Sequence, residues 1–273
     1  MPIVTLTSDW ISDDYYTGAI KGKLISACPE LRIVDISHNI PAFNSARTAF
    51  VLKNSFHHFP PGSIHLICVN TEPASEESIL AVEYEKHFFI GNDNGIFGLL
   101  FREQPSTIIE LPFPSGPSSF ASLEVFVNAA VHLAKQEDLS MAGKPRENFK
   151  RSIPRRATIE QDVINGGIIY IDSYQNAITN ISKELFDRIG KGRKFEIALQ
   201  SNYYKLTRIN KTYNETSVGE LLVLFNYLDL LEVAINKGNA AELLNLNTNS
   251  AIRIRFFEKT PGPAAKKLFN TNG

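Results

Sequence analysis

Hydrophobic residues in the first half of the chain follow two spacings in turn. Short runs rich in β-branched residues, which are typical of strands, alternate with longer segments whose apolar residues repeat at helical spacing. The predicted strands are residues 3–8, 31–37, 63–69, 79–85, 87–91 and 107–111, and the predicted helices are residues 16–27, 44–58 and 123–135. Because strands that are separated by helical crossovers pair in parallel and are covered on both faces, we predict an N-terminal parallel-sheet α/β domain over residues 1–140.

The pattern changes after residue 140. Residues 141–157 are polar and aperiodic, and we predict that they form a linker or exposed connection. The strands predicted beyond it are residues 166–172, 195–200, 203–209, 219–225, 230–235 and 250–257, with one short helix that ends at Gly190 as its C-cap. Short strands in close succession favour antiparallel pairing. We therefore predict a smaller C-terminal β-barrel domain over residues 158–257, followed by a frayed tail over residues 258–273.

Composition and charge exclude several classes of partner. The formal net charge is -1, so no global field favours nucleic acid or a membrane surface. No apolar run approaches the roughly 18 residues that a membrane span requires. The basic residues of the 141–157 segment could form a nucleic-acid patch, but no binding motif accompanies them. The N-terminus lacks the pattern of a signal peptide, and Cys28 and Cys68 do not form a CxxC pair. We expect a cytoplasmic protein with no nucleic-acid partner and no membrane contact.

The sequence contains none of the common cofactor motifs. There is no GxGxxG after the first predicted strand, no Walker loop, no HExxH and no GxSxG. None of the histidines is paired with a carboxylate at metal-ligand spacing. We expect neither a metal site nor a cofactor.

Polar residues follow the predicted strands of the first half. Asp9 closes the first strand and Asn70 closes the third, and the other residues at such positions are Asp13, Asp14, Asp35, His38, Asn92, Asp93 and Asn94. The carboxyl ends of parallel strands share one edge of a sheet, where ligands tend to bind. Each residue alone could be a helix cap or a turn former. Together they favour a site that binds hydroxyl groups or a cation.

Two polar segments of the second half have alternative interpretations. IDSYQNAITNI (171–181) carries Asp172, Asn176 and Asn180. It is either a hairpin with Asx turns or a set of amides and a carboxylate that face a cleft. KGNAAELL (237–244) is either a plain helix start or a source of free backbone N–H groups for a heterocycle.

Eight segments, taken in their order along the chain, form a pattern that can be compared with known protein families. They are TLTSDW (5–10), DDYYTGAIKG (13–22), VDISHNIP (34–41), FPPGSIHL (59–66), GNDNG (91–95), IDSYQNAITNI (171–181), GELLVLFN (219–226) and LLEVAINKGNAA (230–241). In this order they resemble the S-adenosylmethionine hydroxide adenosyltransferase family, which is related to fluorinating and chlorinating enzymes.

The resemblance implies both an architecture and a reaction. The architecture is an N-terminal α/β domain, a C-terminal β-barrel and a homotrimer whose site lies at the subunit interface, between the first domain of one subunit and the second domain of the next. The reaction is displacement of methionine from the 5′ carbon of S-adenosylmethionine by water or a halide. S-adenosylmethionine is then a small-molecule substrate or ligand and not a cofactor.

The resemblance also implies binding roles for particular residues. Asp9 would hold the ribose hydroxyls, Phe43 would lie beside the nucleoside, and Asp14 would contact the methionine ammonium. Ser122 aligns with a serine that touches the halide in the fluorinating relatives. The residues that would bind the adenosine from the adjoining subunit are Asp172, Asn176 and the backbone of Asn239 and Ala240.

The positions that the family uses for chemistry differ in this chain. Water-using members carry an aspartate after the third strand, an arginine further along that loop and a histidine just before a later helix. The residues here are Asn70, Glu77 and Ala121. Asn70 and Glu77 are the candidate catalytic residues, with Glu76 or Glu77 orienting or deprotonating a water. The segment that holds the methionine carboxylate in the family is 227–229 here, and its aspartate would repel a carboxylate.

Three functions remain open at this point. The first is hydrolysis of S-adenosylmethionine or of a related 5′-substituted adenosine. The second is binding of adenosine or S-adenosylmethionine without turnover, which fits intact nucleoside contacts beside changed reactive positions. The third is halide chemistry. It is disfavoured by Asn70 and Pro73, which stand where the halogenating relatives carry an aromatic residue and a hydroxyl donor.

Overall fold

The computed structural model describes residues 1–74, 77–113, 120–136, 138–199 and 204–258. The chain divides into two compact units, Met1–Pro154 and Arg155–Gly273. The division lies within the segment predicted as a linker, and parts of that segment pack on the first unit. Lys144–Pro145 is a strand of its sheet, and the backbone N–H of Lys150 donates to Asp93. The predicted tail lies outside the described residues from residue 259 onward.

The first unit is a seven-stranded sheet with helices on both faces. The strands are β1 (Ile3–Ser8), β2 (Arg32–Ser37), β3 (Ile64–Cys68), β4 (Ile79–Tyr84), β5 (His87–Asn92), β6 (Thr107–Glu110) and β7 (Lys144–Pro145), in the order β2-β1-β3-β5-β4-β6-β7. The helices are α1 (Tyr15–Ala27), α2 (Ser45–Lys53), α3 (Ile96–Leu100) and α4 (Ala121–Ala134), with short 3₁₀ helices at Phe56–His58 and Leu139–Ala142. Asn44 caps α2 as predicted, because its side chain accepts the backbone N–H of Arg47.

Two apolar layers cover the sheet. α1 and α4 pack in one hydrophobic cluster, and α2 and α3 pack in the other. β3 contributes to both, since Leu66 belongs to the first cluster and Ile67 to the second. All five residues of β3 are buried, which is why this segment is a continuous apolar run without the alternation of a half-exposed strand.

The strand pairing is parallel on one side of the sheet and antiparallel on the other. β2, β1, β3 and β5 are parallel, as predicted, whereas β4, β6 and β7 pair antiparallel with their neighbours. β4 and β5 form a hairpin whose two turn residues, Glu85 and Lys86, both have positive φ angles of 49° and 65°. This turn matches the twist of a hairpin, but its residues are not the Asn-Gly pair that would mark it in the sequence.

The second unit is an antiparallel, nearly closed barrel-like sheet, which confirms the predicted C-terminal β-barrel. Its strands are β8 (Thr158–Glu160), β9 (Val163–Ile171), β10 (Ala177–Ser182), β11 (Phe195–Leu199), β12 (Lys205–Leu206), β13 (Leu221–Phe225), β14 (Leu230–Ile235) and β15 (Ala251–Phe256). The strand order is β12-β11-β15-β9-β10-β14-β13, and β8 pairs with β9. The helices are α5 (Lys183–Gly190) and α6 (Ala240–Leu243), with a 3₁₀ helix at Tyr213–Glu215.

Gly190 has a different role from the one predicted. It is the last helical residue of α5, and the left-handed conformation that ends the helix belongs to Lys191, with φ 49°. A Cβ atom at Gly190 would lie 2.6 Å from the Phe256 ring. The glycine is therefore required for close packing of α5 on β15 and not for the helix cap.

Candidate active site

The carboxyl ends of β1 and β3 open into a cavity of about 400 Å³ in the first unit. Asp9 follows β1 directly, and Asn70 and Glu72 lie in the loop that follows β3. β1 and β3 are parallel neighbours, so the segments after them emerge at the same edge of the sheet. This cavity, which we call the β1–β3 cavity, is thus produced by the strand pairing itself.

Asp9 holds two segments of the cavity wall in place. Its Oδ2 atom accepts the backbone N–H groups of Phe43 at 3.0 Å and Asn70 at 3.2 Å. Both partners have left-handed backbones, with φ 62° at Phe43 and 49° at Asn70. Such conformations are costly for residues other than glycine, and the carboxylate offsets part of that cost. Its Oδ1 atom accepts no hydrogen bond from the described residues.

Five aromatic side chains line the β1–β3 cavity: Trp10, Tyr15, Tyr16, Phe43 and Phe120. The rings of Trp10, Tyr16 and Phe120 contact one another, with centroids 5.1–5.6 Å apart. The Phe43 side chain, by contrast, is 72% exposed. Two acids, Asp9 and Glu72, join these rings, and no basic residue lines the cavity in the part of the chain that the structure describes. Carboxylates and ring faces both attract positive charge, so this wall suits a cationic ligand.

Among the described residues, one polar contact holds Glu72 at the cavity. The Ser122 hydroxyl, which is fully buried in the first turn of α4, donates to its Oε1 atom at 2.8 Å. Ser122 itself does not line the cavity. Ala121, which the sequence analysis named as a changed reactive position, is the first residue of α4.

Glu77, the predicted catalytic acid, faces elsewhere. Its carboxylate pairs with Lys150 at 3.1 Å and accepts the backbone N–H of Ala74. It lines a different cavity of about 580 Å³, together with Ser78 and Glu110. The alternative acid, Glu76, lies outside the described residues.

Most of the other polar residues at strand ends stabilise the fold. The Asn92 side chain donates to the carbonyl of Asn70. Asp93 accepts the Lys150 backbone N–H at 2.7 Å, and burial raises the pKa of its carboxyl group. Asp35 pairs with Lys21 at 2.6 Å. Of the strand-end residues named from the sequence, the described cavity wall contains Asp9 and Asn70.

The second unit has a cavity of its own, of about 660 Å³, next to the β9–β10 turn. Asp172 lines it and also organises the turn, because its Oδ1 atom accepts the backbone N–H groups of Tyr174 and Asn176 and its Oδ2 atom accepts the Asn176 side chain. Both interpretations of this segment therefore apply: it is an Asx turn and it faces a cavity. Asn176 and Asn239 also line the cavity, whereas Ala240 is buried and does not.

Tyr213 forms part of the wall of the second cavity, and a buried carboxylate holds its hydroxyl group. Its hydroxyl donates to Glu232 at 2.7 Å, and Glu232 is only 2% exposed. The Asn226 side chain donates to the other carboxylate oxygen at 3.0 Å. Burial, together with the nearby Glu232 carboxylate, raises the pKa of the Tyr213 hydroxyl. The tyrosine is thereby kept as a hydrogen-bond donor with a fixed ring position.

Among the described residues, no group of three or more His, Cys, Asp or Glu is placed to hold a metal ion. No helix in that part of the chain is long and apolar enough to cross a membrane.

Both units match domains of one protein family. Residues 4–143 match the SAM hydroxide adenosyltransferase N-terminal domain, and residues 166–253 match the SAM hydroxide adenosyltransferase C-terminal domain, where SAM is S-adenosylmethionine. The chain belongs to the SAM hydroxide adenosyltransferase family. The resemblance that the sequence motifs indicated is thereby confirmed.

Individual relatives agree with this family membership. A Methanocaldococcus jannaschii protein named (R)-S-adenosyl-L-methionine hydrolase is 27% identical over 271 residues, which cover 93% of this chain and 96% of that protein. A Thermus thermophilus protein of the same name is 25% identical over 272 residues, covering 92% and 98%. The crystal structure of an uncharacterized conserved protein from Thermotoga maritima shares the fold, with a TM-score of 0.82 at 24% identity over 93% of this chain and 100% of that one.

The predicted site residues of this SAM hydroxide adenosyltransferase family member fall into three groups. Asp9, Phe43 and Asn70 line the β1–β3 cavity. Asp172, Asn176 and Asn239 line the cavity of the second unit. The residues that line neither of these two cavities are Asp14, Glu77, Ser122 and Ala240.

Several residues of the family member's two cavities were not found from the sequence. In the first unit, these residues are Glu72 and the ring cluster of Trp10, Tyr16 and Phe120. In the second unit, they are Tyr213 and its buried partner Glu232. One signal was available, since Glu232 is a lone acid within the apolar run LLEVAI, and a fully buried carboxylate needs a hydrogen-bonding partner.

Proposed function

We propose that this protein hydrolyses S-adenosylmethionine to adenosine and methionine. The observation that carries the proposal is the β1–β3 cavity, where the carboxylates of Asp9 and Glu72 lie among aromatic rings and no described lining residue is basic. S-adenosylmethionine carries a positive sulfonium next to its 5′ carbon, and such a cation is stabilised by carboxylates and ring faces. Neutral adenosine has no charge to match this wall. The hydrolase names of the relatives support the same activity.

The reaction requires little covalent chemistry from the protein, because a sulfonium is already a good leaving group. The oxygen of a water molecule forms a bond to the 5′ carbon as the bond from that carbon to sulfur breaks. The electron pair goes to sulfur and leaves the neutral thioether of methionine, and one water proton goes to a base. The protein must hold the water in line with the breaking bond and remove its solvation. The proposal includes neither a metal nor a cofactor.

Asp9 and Phe43 are the proposed nucleoside contacts of the first unit. The Oδ1 atom of Asp9, which the described residues leave unbonded, would accept a ribose hydroxyl, and the exposed ring of Phe43 would cover the nucleoside. Asp14, which is the residue before α1, would pair with the methionine ammonium.

We also propose that the site is completed in a homotrimer. The cavity of the second unit of an adjoining subunit would supply Asp172, Asn176 and the backbone of Asn239 and Ala240. Light scattering should then give three times the chain mass of 30.5 kDa. A sharper test is to mix inactive Asp9→Ala and Asn176→Ala proteins after dissociation. Mixed trimers would contain some intact sites and regain turnover, whereas a site built within one chain would stay inactive.

A second function is favoured by two residues. Asn70, in the loop after β3, carries an amide that cannot act as a base, and Asp229, in the turn after β13, would repel the methionine carboxylate. Both fit a protein that binds adenosine without turnover.

One experiment separates the two functions. Purified protein is incubated with S-adenosylmethionine, and adenosine and methionine are separated by chromatography, while calorimetry measures adenosine binding. Equal amounts of both products support hydrolysis. Measurable adenosine binding without product would replace the hydrolase proposal with the binding function.

A further inference from the structure

Glu72 is an acid in the wall of the β1–β3 cavity, where the proposed hydrolysis would take place. It belongs to the loop after β3, two positions beyond Asn70, and lines the β1–β3 cavity together with Asp9 and the aromatic rings. We infer that Glu72 is the general base of this site and takes over the role for which Asn70 has no suitable group. The inference rests on the proposed hydrolysis.

The Ser122 hydroxyl fixes the orientation of this carboxylate. Ser122 is fully buried, so its position is set by the packing of α4. It donates to Oε1 at 2.8 Å, and the described residues donate no hydrogen bond to Oε2. Oε2 is therefore the oxygen that remains for a water molecule. Ser122 acts as a positioning residue, since it does not line the cavity itself.

The other acids near this edge of the sheet are engaged differently. Glu77 is paired with Lys150 and lines another cavity. Asp9 already accepts two backbone N–H groups, and its loss would release the loops that carry Phe43 and Asn70. Among the described residues, Glu72 is the remaining acid of the cavity wall.

The proton balance of the step is complete with Glu72 as the acceptor. Oε2 takes one proton from the attacking water while the water oxygen bonds to the 5′ carbon, and the electron pair of the broken carbon–sulfur bond stays on sulfur. The products are adenosine, methionine and a protonated Glu72, which returns its proton to solvent. The negative charge of the Glu72 carboxylate at the cavity wall would also attract the positive sulfonium of the substrate.

The test compares Glu72→Gln with two other glutamate-to-glutamine variants. Glutamine keeps the size and the hydrogen bond to Ser122 but accepts no proton at neutral pH, so turnover of S-adenosylmethionine should fall about 10²–10⁴-fold. Adenosine affinity should stay within about threefold, because the ribose contact of Asp9 is untouched. Glu77→Gln tests the rival acid, and Glu30→Gln, at an exposed position after α1, controls for loss of a surface charge.

The outcomes distinguish this inference from the proposed function. If the wild type hydrolyses S-adenosylmethionine and Glu72→Gln does so at the same rate, the base role of Glu72 is overturned and hydrolysis remains. If Glu77→Gln loses turnover and Glu72→Gln keeps it, the base role passes to Glu77. If Glu72→Gln loses both adenosine affinity and turnover, the role of Glu72 is structural, and the inference that it is the base is overturned. Absence of turnover in the wild type would reject both proposals. A second variant, Glu72→Ala, should regain turnover when formate is added as a diffusible base, and failure of this rescue would count against the inference.

Discussion

Acidification should destabilise the first unit through His65, which is buried as a neutral side chain in β3. Its Nδ1 atom lies 2.7 Å from the Thr5 hydroxyl, and its Nε2 atom lies 3.1 Å from Nδ1 of His87. The side chain is fully buried and stacks on Phe89 with 4.8 Å between ring centroids. Burial, and then the neighbouring His87, lower the pKa of His65 from 6.5 to about 3.

The sign and size of the effect follow from this pKa. The folded-state pKa is depressed, so the folded chain does not bind the proton that the unfolded chain takes up below the ordinary pKa of about 6.5. Stability is therefore fully present above pH 6.5 and is lost as the pH falls toward 3. The limiting slope is about 1.4 kcal/mol per pH unit. Between pH 7 and pH 5, the loss from His65 comes to about 2 kcal/mol.

The assay uses Trp10, the single tryptophan of the chain, as a probe of the first unit. Urea unfolding at pH 7 and pH 5, followed by tryptophan fluorescence, gives the free energy of unfolding at each pH. The variant is His65→Gln, which keeps a polar side chain but cannot take up a proton. It should be less stable at pH 7, since its packing is altered, yet it should lose about 2 kcal/mol less than the wild type between the two pH values.

A matched control comes from the same part of the chain. His58→Gln changes an exposed histidine near the end of the 3₁₀ helix at Phe56–His58, and its pH dependence should equal that of the wild type. If His65→Gln retains the full wild-type loss between pH 7 and pH 5, the reasoning about burial is refuted.

Three further predictions concern Asp9 and two glycines. Asp9→Ala should weaken adenosine binding by about 1.5–3 kcal/mol in calorimetry, because a charged acceptor for the ribose is lost. The control Asp13→Ala, at a neighbouring exposed position, should bind adenosine as the wild type does. Equal affinities of Asp9→Ala and the wild type would contradict the ribose assignment. Gly190→Ala should lower the free energy of unfolding by about 1–3 kcal/mol in urea, since its Cβ would overlap the Phe256 ring. Unchanged stability would show that α5 shifts freely. Gly22→Ala, where a Cβ on α1 meets nothing within 4 Å, should raise stability by about 0.5–1 kcal/mol in the same experiment; a decrease would argue against the helix propensity effect.

The elements of this protein could be predicted from the sequence where local spacing decides them. The apolar run of β3 and the capping asparagine of α2 are local features, and both were identified correctly because they depend on neighbouring residues alone. The eight ordered segments identified the family, since a series of motifs in register does not require knowledge of contacts. Asp9 and Asn70 were also placed correctly at one edge, because parallel pairing of β1 and β3 brings their ends together.

The tertiary structure alone decided which acid of the loop after β3 lies at the cavity. Glu72 and Glu77 lie a few positions apart in the sequence, and the prediction named Glu77 and missed Glu72. The positions of their side chains depend on residues that are distant in the sequence, because Glu72 is hydrogen-bonded to Ser122 at the cavity and Glu77 is paired with Lys150 elsewhere. The left-handed turn at Asn70, which sets the direction of the loop, is in turn held by Asp9. Contacts between residues so far apart in the chain leave no periodic pattern, and only the folded arrangement determines them.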